Sequence, residues 1–274
     1  MDANSETRKH SFLAQMRLAI AFLTRLPVDL DSAEDDLSES APATLAEAMW
    51  LFPLVGFAIG GTGAITLGLL AWAGVPVSVA AALAIAAMVL LTGALHEDGL
   101  ADIADGFGGG ADKAAKLSIM RDSRVGTYGV VTVTLVLIIK IAALSALAHI
   151  SIGAAAGALI AAATWSRALF APTMRWLEPA RTDGLGANAG APSEGTSWLG
   201  LLLAAALVTL VLLTPAEFGI VMVLAAGSLG AFAVGWIALK QIGGYTGDVL
   251  GAGQQVAEAA ALIAASAVIS GHFS

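Results

Sequence analysis

Four carboxylates fall within nine residues of one another in the run His96-Glu97-Asp98-Gly99-Leu100-Ala101-Asp102-Ile103-Ala104-Asp105-Gly106. Asp98, Asp102 and Asp105 are spaced i, i+4, i+7, so on an α-helix they share an arc of about 60°. Like charges stacked on one stripe repel, and more strongly where the edge of an apolar medium lowers the dielectric. A hard divalent cation relieves that repulsion, because such ions take oxygen ligands and keep positions open for substrate phosphates. Asp98, Asp102 and Asp105 are therefore the candidate metal ligands and catalytic carboxylates. His96 stands about 160° round the helix from Asp98. It is expected as a supporting contact, a proton shuttle or a packed imidazole.

Downstream residues extend the same chemistry. The run Gly106-Phe107-Gly108-Gly109-Gly110 is expected to break the helix and to offer amides, Gly106 first, to a phosphate. It lacks the Lys-Ser/Thr ending of a P-loop. Arg121 and Arg124 flank Asp122, a pattern suited to clamping a diphosphate while the Asp orients the arginines or joins the metal. Asp248, in Gly243-Gly244-Tyr245-Thr246-Gly247-Asp248, opens the last apolar segment as a cap, a further ligand or a base. Lys140 and Arg167 lie inside apolar segments. Either could reach a substrate phosphate or pair with a carboxylate, and Arg167 is the better placed. Asp183, Asn188 and Glu194 sit in a Gly- and Pro-rich connection suited to a lid.

The elements that must hold these residues are membrane helices. The 274 residues are 58% hydrophobic and 12% charged, with a mean hydropathy of +0.83, outside the soluble globular range. The expected fold is all-α: a polytopic helical bundle forming one membrane-embedded domain over residues 1–274. Residues 11–26 read as an interfacial helix. Seven apolar segments follow, at 47–73, 76–96, 128–149, 152–175, 197–214, 217–239 and 248–270, each near the ~20 residues that cross a bilayer. The 97–127 connection is expected to be the catalytic loop. The absence of Cys excludes disulfides and thiolate chemistry. The net charge of −8 owes much to a solvated acidic stretch, Asp29 to Glu39, and no nucleic-acid partner is expected.

Eleven of the thirteen basic residues lie in the amino-terminal segment, in 97–127, in 176–196 with its edge, and in 240–247. The alternate connections, near 74, 150 and 215, carry none. By the positive-inside rule the amino terminus and the 97–127 segment face the cytoplasm and the carboxyl terminus faces outward, in a multi-pass inner-membrane protein.

The acidic run, together with Met120-Arg121-Asp122-Ser123-Arg124-Val125-Gly126-Thr127, resembles the hallmark segments of the adenosylcobinamide-GDP ribazoletransferase (cobalamin synthase) family. Thr24-Arg25-Leu26-Pro27, Phe52-Pro53-Leu54-Val55-Gly56 and Gly244-Tyr245-Thr246-Gly247-Asp248 resemble its other landmarks in the same order. The chain departs from the family pattern at Glu97, commonly apolar, and at Tyr245, often Gln, so neither is given a role. The resemblance implies a Mg²⁺-using membrane enzyme of late cobalamin synthesis. Such an enzyme joins α-ribazole or its 5′-phosphate to adenosylcobinamide-GDP and releases GMP, with the ribazole 5′-oxygen taken as the attacking atom. A homo-oligomer, or association with other late cobalamin enzymes, stays open.

Two other readings compete. Asp102-Ile103-Ala104-Asp105-Gly106 opens like the signature of a CDP-alcohol phosphatidyltransferase, but the continuation of that signature is missing. A secondary transporter would place its carboxylates near the midplane on broken helices, preferably within an inverted repeat. The topology is testable: a reporter fused near Asp112 should read cytoplasmic and one fused at Ser274 external, and the opposite pair would overturn the orientation.

Overall fold

The computed structural model describes residues 11–29, 43–184, 189–212 and 217–272. Arg8, Lys9, Asp31, Glu34, Asp35, Asp36, Glu39 and Asn188 lie outside the described residues. Helix α1 (Phe12–Leu23) starts at Ser11, whose hydroxyl accepts from the Leu13 amide, and stops at Thr24. It is followed by α2 (Leu45–Ala48), a 3₁₀ turn (Met49–Leu51), α3 (Phe52–Trp72), α4 (Val77–Thr92), α5 (Leu95–Gly109) and α6 (Lys113–Ile119). The chain continues through α7 (Thr127–Ile150), α8 (Ile152–Ala168), α9 (Phe170–Trp176), α10 (Glu194–Val211), α11 (Glu217–Ile242) and α12 (Gly247–His272). Among the described residues, six helical stretches are long and apolar enough to cross a membrane, and the bent pair α4–α5 makes a seventh if taken as one span. The all-α bundle expected from hydropathy is thus what forms.

Helix α8 occupies the middle. In the stretch Ile152–Trp176, which α8 and α9 form together, 83% of the most apolar 18-residue window is buried, against 22% for α7, α10 and α11. The run of Ala and Gly in α8 explains the position, because small residues let neighbouring backbones approach. A Cβ on Gly60 of α3 would lie 2.7 Å from Ile160 Cα, so α3 crosses α8 almost backbone to backbone. Leu69, Leu135, Leu202 and Leu229 point outward and exposed, as a lipid-facing surface requires.

The sequence reading needs correcting at the end of α4. The 76–96 segment does not run straight: Gly93 and Ala94 both take left-handed backbone, at φ of 64° and 57°, and the chain turns 90° into α5. A side chain at Gly93 would collide with Arg25, whose own amide donates to the Leu91 carbonyl at 2.8 Å. Residues 97–127 are therefore mostly two helices, not a loop, and α5 lies across one end of the bundle.

The glycines of 106–110 do not break the helix either. Helix α5 runs through Gly109, because Gly106 lies against Met120 and Gly108 against the Tyr128 ring, where a Cβ would come within 2.6 and 2.8 Å of the neighbouring carbons. Tertiary packing outweighs the poor helix propensity of glycine here.

Three charges meet inside the bundle. Glu258 of α12 accepts from Lys140 of α7 at 2.6 Å and from Arg167 of α8 at 3.1 Å, and all three side chains are at most 2% exposed. Gln255 accepts from Lys140 through its Oε1 and donates through its Nε2 to Glu97 of α5. Gln254 donates to Glu258 and to Ser166. Removing one partner of a buried pair costs about 3–5 kcal/mol, because the survivor stays charged and unpaired. Glu258→Gln, which strands two cations, should lower the melting temperature of the detergent-solubilised protein more than Lys140→Met, which leaves Arg167 to neutralise Glu258.

Candidate active site

The site forms where α5 crosses the first turn of α12. A Cβ on Gly99 would lie 3.0 Å from both Cα and the carbonyl oxygen of Asp248, and one on Gly251 would lie 3.4 Å from His96 Cα. A side chain at Gly99 would press on the Asp248 backbone, while Gly251 meets His96 at ordinary contact distance; this close approach sets the α5 stripe beside Asp248. The loop before α12 is held by a backbone clasp: Tyr245 donates its amide to the Glu178 carbonyl at 2.9 Å, and Ala180 donates to the Tyr245 carbonyl at 2.8 Å. The clasp carries Arg181 to within 3.7 Å of the Asp248 carboxylate, which also accepts from the Thr246 hydroxyl.

The expected charge conflict is present. Burial, followed by the carboxylates of Asp248, Asp98 and Asp105, pushes the Asp102 carboxyl up to about 7, while Arg181 pulls the other way. Asp105 has a second task. Its two oxygens accept the amides of Gly126 at 2.7 Å and Gly129 at 2.9 Å, satisfying the exposed donors that open α7. Among the described residues, no three acidic or histidine side chains stand close enough to hold one ion. The all-oxygen donors nevertheless suit Mg²⁺, which is commonly held by one or two carboxylates, several waters and the substrate's phosphates.

Beside the crossing opens a cavity of about 240 Å³. Asp98, Asp248 and Arg181 form its polar side, and Phe22, Met49, Phe170 and Met174 its apolar walls. His96 also lines it. That imidazole is 1% exposed, and among the described residues neither ring nitrogen has a hydrogen-bond partner.

Other expected site residues are placed elsewhere. Arg121 donates to Asp183 at 2.5 and 2.7 Å, tying the end of α6 to the 181–184 segment. Arg124 grips Asp122 at 2.6 Å, and these hydrogen bonds hold the Asp122 carboxyl down at about 2. The arginine pair thus faces outward, with each cation satisfied by a carboxylate. Gly106 is buried under Met120 and has no room for a phosphate. Arg167 is a corrected assignment, since it is committed to Glu258 and to the Ala163 carbonyl in the bundle interior. Sequence reasoning missed Glu258, Gln255 and Arg181. The signal for Glu258 was available: a lone acid in an apolar segment balances the two buried bases. Arg181 stood out only as one more basic residue in a connection.

With this geometry in place, the comparison with known proteins decides the family. The family described as cobalamin-5-phosphate synthase matches residues 15–266. The chain belongs to that family. It is 44% identical over 257 residues to the adenosylcobinamide-GDP ribazoletransferase of Azorhizobium caulinodans, covering 93% of this chain and 96% of that one. The ribazoletransferase of Xanthobacter autotrophicus is 46% identical over 249 residues, covering 87% and 90%. That of Mesorhizobium japonicum is 42% identical over 259 residues, covering 94% and 95%. No solved structure matches. As a member of the cobalamin-5-phosphate synthase family the chain is a transferase built on membrane helices.

The two α5 aspartates should separate on mutation. Asp102→Asn removes a crowded charge and should raise the melting temperature of the metal-free protein. The gain should be fully developed above pH 7, shrink as pH falls, and vanish below the ordinary carboxyl value of 3.8, where the carboxyl is neutral in both folded and unfolded chains. Asp105→Asn disturbs the α7 cap and should instead cost about 1 kcal/mol. Thermal unfolding in chelator at several pH values checks both.

Proposed function

We propose that this chain transfers the adenosylcobinamide-phosphate group from adenosylcobinamide-GDP to α-ribazole or its 5′-phosphate. The products are adenosylcobalamin, or its 5′-phosphate, and GMP. The observation that carries this reading is the meeting of Asp98, Asp102 and Asp248 beside the cavity, in a chain whose relatives over nearly its whole length are named ribazoletransferases.

The family description changes one step. A product called a cobalamin 5-phosphate retains a phosphate at that position, so the 5′-oxygen of such an acceptor cannot be the nucleophile. A ring hydroxyl of the ribose attacks the phosphorus nearer cobinamide, and the bond from that phosphorus to the bridging oxygen of GMP breaks. The hydroxyl proton passes to a carboxylate, for which Asp98 and Asp248 are placed on the cavity wall.

Asp98 and Asp102 would hold Mg²⁺, with the free lone pairs of Asp105 nearby. The ion would supply neutralisation of the diphosphate and of the charge developing on GMP. Arg121 and Arg124 reach a diphosphate only by leaving Asp183 and Asp122. Exposed pairs of this kind are screened by solvent and contribute little, so the exchange costs little. The asymmetry of Lys and Arg supports a cytoplasmic site in a multi-pass inner-membrane protein.

Membranes containing the protein should release GMP from adenosylcobinamide-GDP only when α-ribazole or its phosphate is added. Chelation should stop turnover and Mg²⁺ restore it. Asp102→Asn should reduce turnover by about 10³-fold or more, the scale lost with a main electrostatic group of a site, while leaving the folded protein in the membrane. Near-normal product from that variant in excess Mg²⁺ would defeat the assignment.

A further inference from the structure

The cavity at the α5–α12 crossing holds an unexplained group. An imidazole buried without any partner is costly, since neither ring nitrogen recovers the hydrogen bonds it made to water. His96 is that imidazole; it belongs to the cavity wall at the start of α5, with its ring edge-on to Phe170 at 6.0 Å. Arg181 adds a second orphan, because its Nη1 is also buried without a partner on the polar side of the cavity. Two donors without hydrogen-bond partners among the described residues, both on side chains that line one cavity, point to a ligand site.

The walls specify the shape of the ligand. Phe22 and Phe170 present aromatic surface, and Met49 and Met174 present polarisable thioethers, which pack well against the faces and edges of flat rings. About 240 Å³ is below the roughly 300–1,000 Å³ of pockets for drug-sized ligands. The space is too small for a corrinoid and suits a single bicyclic ring with part of its sugar.

Two such rings occur in the reaction proposed above. Guanine carries donors and acceptors around most of its edge, and these would go unpaired against Phe and Met at a cost that sites rarely tolerate. Dimethylbenzimidazole has an apolar edge with two methyl groups and one unsubstituted ring nitrogen that accepts a single hydrogen bond. One imidazole N–H among the apolar walls matches one acceptor on an otherwise apolar ring.

We infer that this cavity is the acceptor subsite: it takes the dimethylbenzimidazole of α-ribazole, with His96 donating to the free ring nitrogen. The inference rests on the proposed transferase reading and adds specificity residues to it. With the base seated against Phe170 and Met174, the ribose lies toward Asp98, Asp248 and Arg181, on the side where the α5 carboxylates stand.

The test uses the full-length protein in lipid nanodiscs. Titration with α-ribazole, followed by benzimidazole fluorescence, gives binding; GMP release gives KM for each substrate separately. Met174→Trp fills the cavity and should weaken α-ribazole binding and raise its KM by about tenfold or more, with KM for adenosylcobinamide-GDP unchanged. The riboside of dimethylindole, which lacks the accepting nitrogen, should bind the wild type more weakly than α-ribazole. In His96→Phe that difference should vanish, which a merely structural histidine would not produce. If Met174→Trp does not fold, Met49→Trp on another wall makes the same test. Unchanged α-ribazole binding in the filled variant overturns the inference, and a raised KM for adenosylcobinamide-GDP alone assigns the cavity to guanine instead. Absence of GMP release from the wild type would count against the transferase reading, and the direct titration would still judge the cavity.

Discussion

One carboxylate shared by two cations in the apolar middle of the bundle underlies the rest of the structure. Glu258 binds α12 to α7 through Lys140 and to α8 through Arg167, with all three side chains buried from solvent. Packing between apolar helices in lipid has little direction of its own, because lipid tails are as oily as leucine. A buried ion pair, by contrast, tolerates little slippage, since sliding one helix by a turn would strand a charge. The network also reaches α5, through Gln255 and Glu97. The helix carrying the acidic stripe is thus registered against the same interior charges as the helix carrying Asp248.

That registration is what makes the repulsive cluster sustainable. The crossing at Gly99 and Gly251 forces Asp98, Asp102 and Asp248 toward one another, and nothing in the stripe itself favours the arrangement. The interior ion pairs, the clasp between Tyr245 and Glu178, and the amides held by Asp105 all oppose the repulsion. The crowding of carboxylates at the crossing is thus held in place by interactions made around it.

The sequence made much of this legible, for reasons that can be named. Apolar segment lengths gave the spans, because a bilayer demands about 20 residues of any helix that crosses it. The i, i+4, i+7 spacing gave the stripe, because helical periodicity is local. The turn at Gly93 and Ala94 was illegible, since two left-handed residues in succession are fixed by contact with Arg25, 68 positions earlier in the chain than Gly93. The glycines after Asp105 were misread for the same reason: their helical state depends on Met120 and Tyr128. Arg167 showed itself as a buried charge, but its partner lay 91 residues away. Asp105 read as a ligand because its role as a cap depends on where α7 begins.

The double engagement of α5 with its own downstream chain has a mechanical result. Met120 is lodged against Gly106, and the Gly126 amide is fastened to Asp105, so both anchors of the intervening five residues belong to one helix. A strap of that length spans at most about 17 Å fully extended, so Arg121 and Arg124 are leashed to the neighbourhood of the acidic stripe whichever way their side chains turn. Their outward pairing with Asp183 and Asp122 is made on a short tether, so two cations stay anchored beside the stripe even while their side chains point away from it.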